Sequence, residues 1–299
     1  MKSRILYWLT YAGMWLVALL PFRMLYVLSD GMYFLMRHIV RYRKKVVRRN
    51  LSRSFPEKSQ QELREIERRF YHYICDYMLE EIKTLRMSFD DLKRRMVYEK
   101  TDIFLEMIEK HGGIVVMIPH YANFEWLIGM AAIMHPNDIV GQVYKPLRNK
   151  YMDRMFKLIR SRFGGHNIPK HSTAREIIKL RRENKHMALG LITDQSPNRS
   201  EAHYWTTFLH QDTVFMDGAE RIAKMMDFPV FYAELQKTGR GHCKVSFDLI
   251  TETPKEMADG EITECFARRL EQTIRREPAY WFWSHKRWKL KRENVVRHG

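Results

Sequence analysis

Cysteine is scarce: Cys75, Cys243 and Cys265 are the only three in 299 residues, and they lie far apart. An odd, scattered set builds no disulfide framework and suits a reducing compartment. The signatures of cofactor chemistry are missing as well. There is no CxxC, no HExxH, no Walker loop and no GxGxxG, and the Gly112-Gly113 and Gly164-Gly165 pairs are too short to cradle a nucleotide. Nothing in the chain calls for a metal or any other cofactor. Internal repeats and low-complexity stretches are absent too.

Acidic residues are outnumbered. Lys and Arg total 52 against 35 Asp and Glu, a formal charge of +17. Such an imbalance says little about fold but predicts anionic partners: nucleic acid, an anionic membrane surface, phosphorylated lipid or an acidic carrier protein. A basic surface that serves only solubility is the plain alternative. Hydrophobic residues make up 45% and aromatics 13%, enough for a substantial core.

One long uncharged run exists, Ile5 to Phe22. As a helix it measures roughly 27 Å, against a hydrocarbon core of about 30 Å. A second apolar stretch, Met24 to Met36, leads into the basic cluster Arg37, Arg41, Arg43, Lys44, Lys45, Arg48 and Arg49. Basic residues beside an apolar anchor favour the cytoplasmic leaflet. A cleaved signal peptide fits less well, because no small-x-small site follows. A buried core helix is the other alternative. Trp8, Trp15, Tyr7, Tyr11 and Tyr26 suit an interfacial helix as well as a spanning one. The expected division is an N-terminal membrane anchor over residues 1–40 and one domain over 41–299.

Ser59 and Glu62 have capping-box spacing, and Leu63, Ile66, Phe70, Ile74 and Tyr77 follow at steps of three and four. This predicts a long amphipathic helix from about residue 60. Strands are expected at Gly113 to Ile118, Ile139 to Tyr144, Met187 to Ile192, Val230 to Leu235 and Cys243 to Leu249. Helices are expected at 101–110, 123–134, 150–162, 173–184, 217–227 and 261–277, the fourth opened by a Thr173-x-x-Glu176 capping box. The alternation predicts an α/β fold with a mainly parallel central sheet flanked by helices.

The most informative stretch runs from Gly113 to Trp126, GIVVMIPHYANFEW. A buried strand ends at Pro119, so His120 falls on the strand-to-helix turn at the carboxyl edge of the sheet, where open α/β sheets bind ligands. Glu125 falls in the first turn of the next helix, within reach of His120. A histidine can take the proton of a poorly nucleophilic hydroxyl, and a carboxylate on its other ring nitrogen fixes the tautomer. The same spacing also arises by chance, because any first helical turn favours Glu.

This His-x4-Glu stretch resembles that of the lysophospholipid acyltransferase superfamily, and the whole chain resembles its lipid A biosynthesis late acyltransferase branch. Four further blocks carry the likeness: Arg43 to Glu57; Val143 to Asn149 with Arg162-Phe-Gly-Gly165; Thr193-Asp194-Gln195; and Pro278 to Lys289. Thr193 departs from the family's proline, and Phe208-Leu209-His210 from its Phe-Phe-Gly.

The resemblance implies an O-acyltransferase at the cytoplasmic face of a bacterial inner membrane. It would move a fatty acyl chain from acyl carrier protein to a hydroxyl of an anionic lipid A precursor, with His120 as base and Glu125 beside it. Lys145, Arg148 and Arg162 are the expected grips on phosphate or the carrier's phosphopantetheine. Asp194 and Gln195, after another buried strand, are expected at the same edge of the sheet, ordering the loop or positioning His120. The C-terminal Trp281, Trp283 and Trp288, set among His285, Lys286, Arg287 and Lys289, admit three readings: stacking on single-stranded nucleic acid, lying at a headgroup interface, or packing in the core. The anchor and the His120 motif favour lipid over nucleic acid.

Overall fold

The computed structural model describes residues 2–147 and 149–293. Two apolar helices open the chain, α1 (Lys2–Leu19) and α2 (Phe22–Phe34). Pro21 separates them, because it has no N–H with which to continue a helix. Helix α3 (Lys44–Ser54) follows, then α4 (Gln60–Lys83), whose expected capping box is complete: Ser59 Oγ accepts from the Glu62 N–H, and the Ser59 N–H donates to the Glu62 carboxylate. The chain then enters an alternating region: α5 (Phe89–Arg95), β1 (Met96–Glu99), α6 (Asp102–His111), β2 (Gly113–Ile118), a 3-10 helix (Phe124–Ala132), β3 (Ile139–Tyr144), α7 (Lys150–Ser161), β4 (Gly165–Pro169), α8 (Thr173–Arg182) and β5 (Met187–Ile192). A small hairpin of β6 (Tyr204–Phe208) and β7 (Gln211–Phe215) precedes α9 (Gly218–Met226), β8 (Val230–Gly239), β9 (His242–Thr251) and α10 (Glu261–Arg276).

Seven strands form one sheet in the order β1-β9-β8-β2-β5-β3-β4. Every neighbouring pair is parallel except β8 and β9. The mainly parallel α/β sheet is therefore as expected. Its centre, β2, is buried at every position, which is why its sequence is an unbroken apolar run rather than an alternating one. Three expected strands, β2, β3 and β5, have the expected limits.

Several local readings are corrected. The segment expected as an α-helix over 123–134 is 3-10 over Phe124–Ala132. The expected capping box at Thr173 is not formed: Ser172 is the N-cap, and the Thr173 hydroxyl bonds the carbonyls of Pro169 and Lys170 instead. The short strands β1, β4, β6 and β7 were not among the expected ones, although Tyr204 to Phe208 and Gln211 to Phe215 are rich in strand-forming residues.

The first two helices are tied to α4. Ala18 packs with Leu85 and Ile159, and Lys83 Nζ donates to the Ala18 and Leu20 carbonyls at 2.8 and 2.7 Å, capping the end of α1 with a cation. On α2, Ser29 Oγ donates to Asp76 at 2.6 Å, and Arg240 bridges Asp30 and Asp76. Among the described residues no helix is long and apolar enough to cross a membrane.

Candidate active site

The register of the sheet builds the site. Strands β2 and β5 are parallel neighbours with Ile118 opposite Ile192. Two residues beyond each partner stand His120 and Asp194, so the pairing delivers both side chains to the same point of the carboxyl edge. His120 Nδ1 lies 2.6 Å from Asp194 Oδ1, and the His120 backbone N–H donates to Oδ2 at 3.0 Å. The Trp281 indole N–H also donates to Oδ2, at 2.7 Å. Asp194 is buried, with 1% of its side chain exposed, while His120 keeps 16%. Burial alone would raise the Asp194 pKa. The His120 charge and the hydrogen bonds from His120 and Trp281 outweigh it and hold the carboxyl below its ordinary value.

The turn that carries His120 is pinned from outside the sheet. Ala122 adopts a left-handed conformation (φ +48°), costly for a residue with a Cβ. It is held there because its N–H donates to the Tyr280 carbonyl at 3.0 Å and its own carbonyl accepts from the Tyr73 hydroxyl at 2.7 Å. Phe124 and Phe282 pack against the imidazole, with ring centroids at 4.8 and 5.4 Å.

Glu125 does not occupy the place expected of it. Its carboxylate is engaged by the Arg160 guanidinium in a two-point pair, Nε to Oε2 at 3.0 Å and NH2 to Oε1 at 2.6 Å. The reversal at Ala122 turns Glu125 toward α7, and the carboxylate on the imidazole comes from Asp194. Glu125 and His120 still line one cavity. Nearby Glu81 is pushed well above the ordinary carboxylate range, first by burial and then by the Glu125 charge, with Arg160 opposing.

That cavity, of about 410 Å³, opens at the carboxyl edge beside His120, Gln195, Lys145 and Arg160. It runs back along β3 between Leu127, Ile128, Met130 and Val140. Its lining mixes ionisable side chains with apolar ones, a few polar groups among hydrocarbon as is usual in ligand pockets. Gly190 lies on its wall, where a Cβ would come within 2.9 Å of Ile118 Cδ1.

The other expected site residues are placed as follows. Gln195 reaches His120 from the side opposite Asp194, its Nε2 2.9 Å from His120 Nε2. Lys145 is exposed at the cavity mouth. Arg148 lies outside the described residues. Arg162 does not line the cavity; it donates to the carbonyls of Leu85 at 2.8 Å and Met87 at 3.0 Å, tying α7 to the segment after α4.

Arg160 and Trp281 went unrecognised in the sequence as site residues. A signal for Arg160 existed: Asp153, Phe156, Lys157 and Arg160 recur at helical spacing and share the face of α7 that looks into the cavity. Trp281 stood out only as one of the C-terminal aromatics, because its place beside Asp194 depends on where the C-terminus returns. Trp283 is fully buried and donates to the Pro278 carbonyl at 2.6 Å, and Trp288 donates to Thr213 at 2.7 Å. Trp281 and Trp283 are buried and Trp288 is half-buried, so the three indoles do not form one exposed platform for nucleic-acid bases. Arg287, between them, is also buried and lies over the Phe215 ring at 4.5 Å. Among the described residues no cluster of His, Cys, Asp and Glu is arranged to hold a metal ion.

Comparison with known proteins adds two findings. A family model described as bacterial lipid A biosynthesis acyltransferase matches residues 1–290. The lipid A biosynthesis lauroyltransferase of Escherichia coli (strain K12) is 25% identical over 300 residues, 97% of this chain and 94% of that protein.

Proposed function

Since the chain belongs to the bacterial lipid A biosynthesis acyltransferases, we propose that it moves a fatty acyl chain from an acyl carrier protein thioester to a hydroxyl of a lipid A precursor, with His120 as general base and Asp194 as its orienting carboxylate. The observation that carries this reading is the 2.6 Å bond from His120 Nδ1 to buried Asp194 at the mouth of a cavity with a partly apolar lining.

The chemistry follows from that bond. An ionised carboxylate can only accept, so Nδ1 carries the ring proton and Nε2 presents its lone pair. Nε2 takes the proton of the acceptor hydroxyl as its oxygen attacks the thioester carbonyl. The C–S bond breaks, and the imidazolium returns the proton to the departing thiol. General-base assistance of this kind is worth about 10²–10⁴-fold. The acyl chain lies along Leu127, Ile128, Met130 and Val140. Arg160, held by Glu125, faces the reacting carbonyl or an adjoining phosphate, and Lys145 at the mouth meets the anionic substrate. Glu125 is then a positioning residue for Arg160.

The same reading places the protein on the cytoplasmic face of the inner membrane. Leu9, Val27 and Ile39 are 66%, 73% and 64% exposed, and the basic cluster Arg41 to Arg49 follows them in the chain. Apolar insertion combined with attraction to anionic lipid is how an interfacial helix binds.

The test is to incubate purified protein with acyl carrier protein thioester and lipid A precursor and follow the lipid by mass spectrometry. The expected product is heavier by one acyl chain, and His120→Ala removes the gain. A wild type that acylates only a lysophospholipid or an aminolipid reassigns the acceptor. Full activity in His120→Ala refutes the role of the histidine.

A further inference from the structure

Asp194 and Gln195 are consecutive residues, yet they hold opposite nitrogens of one imidazole. Asp194 accepts from Nδ1, so the lone pair of the ring sits on Nε2. The amide nitrogen of Gln195 lies 2.9 Å from that atom, and an amide nitrogen can only donate. The proton-accepting position of His120 is therefore already occupied by an N–H, at the mouth of a cavity built for an acyl chain.

We propose that Gln195 guards the base: its amide stays on Nε2 until a bound acceptor hydroxyl displaces it, which spares the acyl thioester from water. This rests on the reading of His120 as the base of acyl transfer. An unguarded histidine serves either nucleophile. Nε2 takes a proton from water, the oxygen bonds to the thioester carbonyl carbon and the C–S bond breaks. The imidazolium then gives its proton to the departing sulfur, so the products are a free fatty acid and a thiol. With the acceptor alcohol the same bonds form and break to give an ester.

Water offers Nε2 nothing beyond the hydrogen bond that Gln195 already makes. An acceptor lipid is anchored elsewhere in the site, and its hydroxyl is held against Nε2 at a high effective concentration. It can therefore displace the amide where a passing water does not. The position of Gln195 in the chain suits a guard. The β5–Asp194 segment fixes the base and the next residue covers it, so a small movement of one loop side chain uncovers Nε2 without disturbing the bond to Nδ1.

The experiment measures both fates of the acyl thioester, free fatty acid and acylated lipid, in the wild type and in Gln195→Leu, which keeps the bulk and loses the donor. Gln195→Met serves as a second variant in case the first does not fold. The ratio of hydrolysis to transfer is expected to rise about threefold to tenfold, the worth of one hydrogen bond. The added hydrolysis should vanish in the His120→Ala/Gln195→Leu double variant. An unchanged ratio in a variant that still transfers, or a rise that survives loss of His120, overturns the guard. A wild type that transfers no acyl chain at all removes instead the reading of the site on which the guard rests.

Discussion

His120 and Asp194 lie 74 positions apart in the sequence and 2.6 Å apart in the fold. The parallel pairing of β2 with β5 is what joins them, because Ile118 faces Ile192 and the chain runs two residues past the end of each strand to His120 and to Asp194. Neither β2 nor β5 contains an ionisable side chain. The site therefore sits where the ladder ends, with Trp281 closing it from the C-terminal segment.

Two neighbouring arginines should separate by assay. Arg160 faces the cavity and pairs with Glu125, whereas Arg162 is bonded to backbone carbonyls of Leu85 and Met87. Arg160→Ala and Glu125→Ala are expected to lower acyl transfer by about two to three orders of magnitude, the range of a lost electrostatic donor. Arg162→Ala is expected to cost about 1–3 kcal/mol of stability, with activity per folded molecule retained. Steady-state acylation rates and urea melts of the three variants check this.

His285 predicts a component of acid sensitivity. Burial, followed by smaller electrostatic effects, pushes its pKa down to about 4. In the unfolded chain it titrates near ~6.5. Above that value the ring is neutral in both states and carries no penalty. As the pH falls toward 4 the unfolded chain takes up a proton that the folded chain refuses, so stability is lost. Denaturant melts between pH 7 and pH 4 should show His285→Gln losing less stability than wild type, by about 2 kcal/mol after discounting for its partial exposure. Parallel curves for the two proteins would show that His285 is not the group responsible.

The C-terminal segment depends on α3. Asn50 Nδ2 lies 2.9 Å from the carbonyls of both Trp283 and His285, and it is buried. Asn50→Ala leaves those acceptors unpaired and should destabilise the protein by about 1–3 kcal/mol. Because Trp281 is in the same segment, activity should fall before global unfolding as temperature rises. Thermal melts compared with activity at a series of temperatures measure the gap.

Much of this was legible in the sequence, and the failures have physical causes. The runs Gly113 to Ile118 and Met187 to Ile192 read as buried parallel strands because both faces of such a strand are apolar, and Ile139 to Tyr144 read as a strand from its short apolar run. His120 could be placed because Pro119 marks the end of one of them. The partner of His120 was misread because distance along the chain favoured Glu125, whereas the sheet register, invisible in sequence, favoured Asp194. Arg162 resembles an anion ligand in sequence, but two backbone carbonyls occupy it in space. The C-terminal tryptophans read equally well as exposed or buried, since their surroundings are assembled from α3, β5 and β7.

The apolar faces of α1 and α2 carry a prediction about where the protein resides. Replacing Leu9, Val27 and Ile39 together by Ser should weaken sedimentation with anionic vesicles, at about 0.8 kcal/mol for each buried methylene removed. The catalytic domain should still melt as wild type does. Vesicle binding unchanged by the triple variant would place the membrane contact elsewhere.

The most direct test of the account is the acyl-transfer rate of Asp194→Asn beside that of His120→Ala. The amide keeps the size of the carboxylate and loses its charge, so Nδ1 is no longer held by an anion. The expected result is a folded protein whose turnover falls by about 10²–10⁴-fold, approaching the histidine variant. An Asp194→Asn protein that turns over at the wild-type rate would contradict the account, because His120 would then be working without the carboxylate that the sheet places against it.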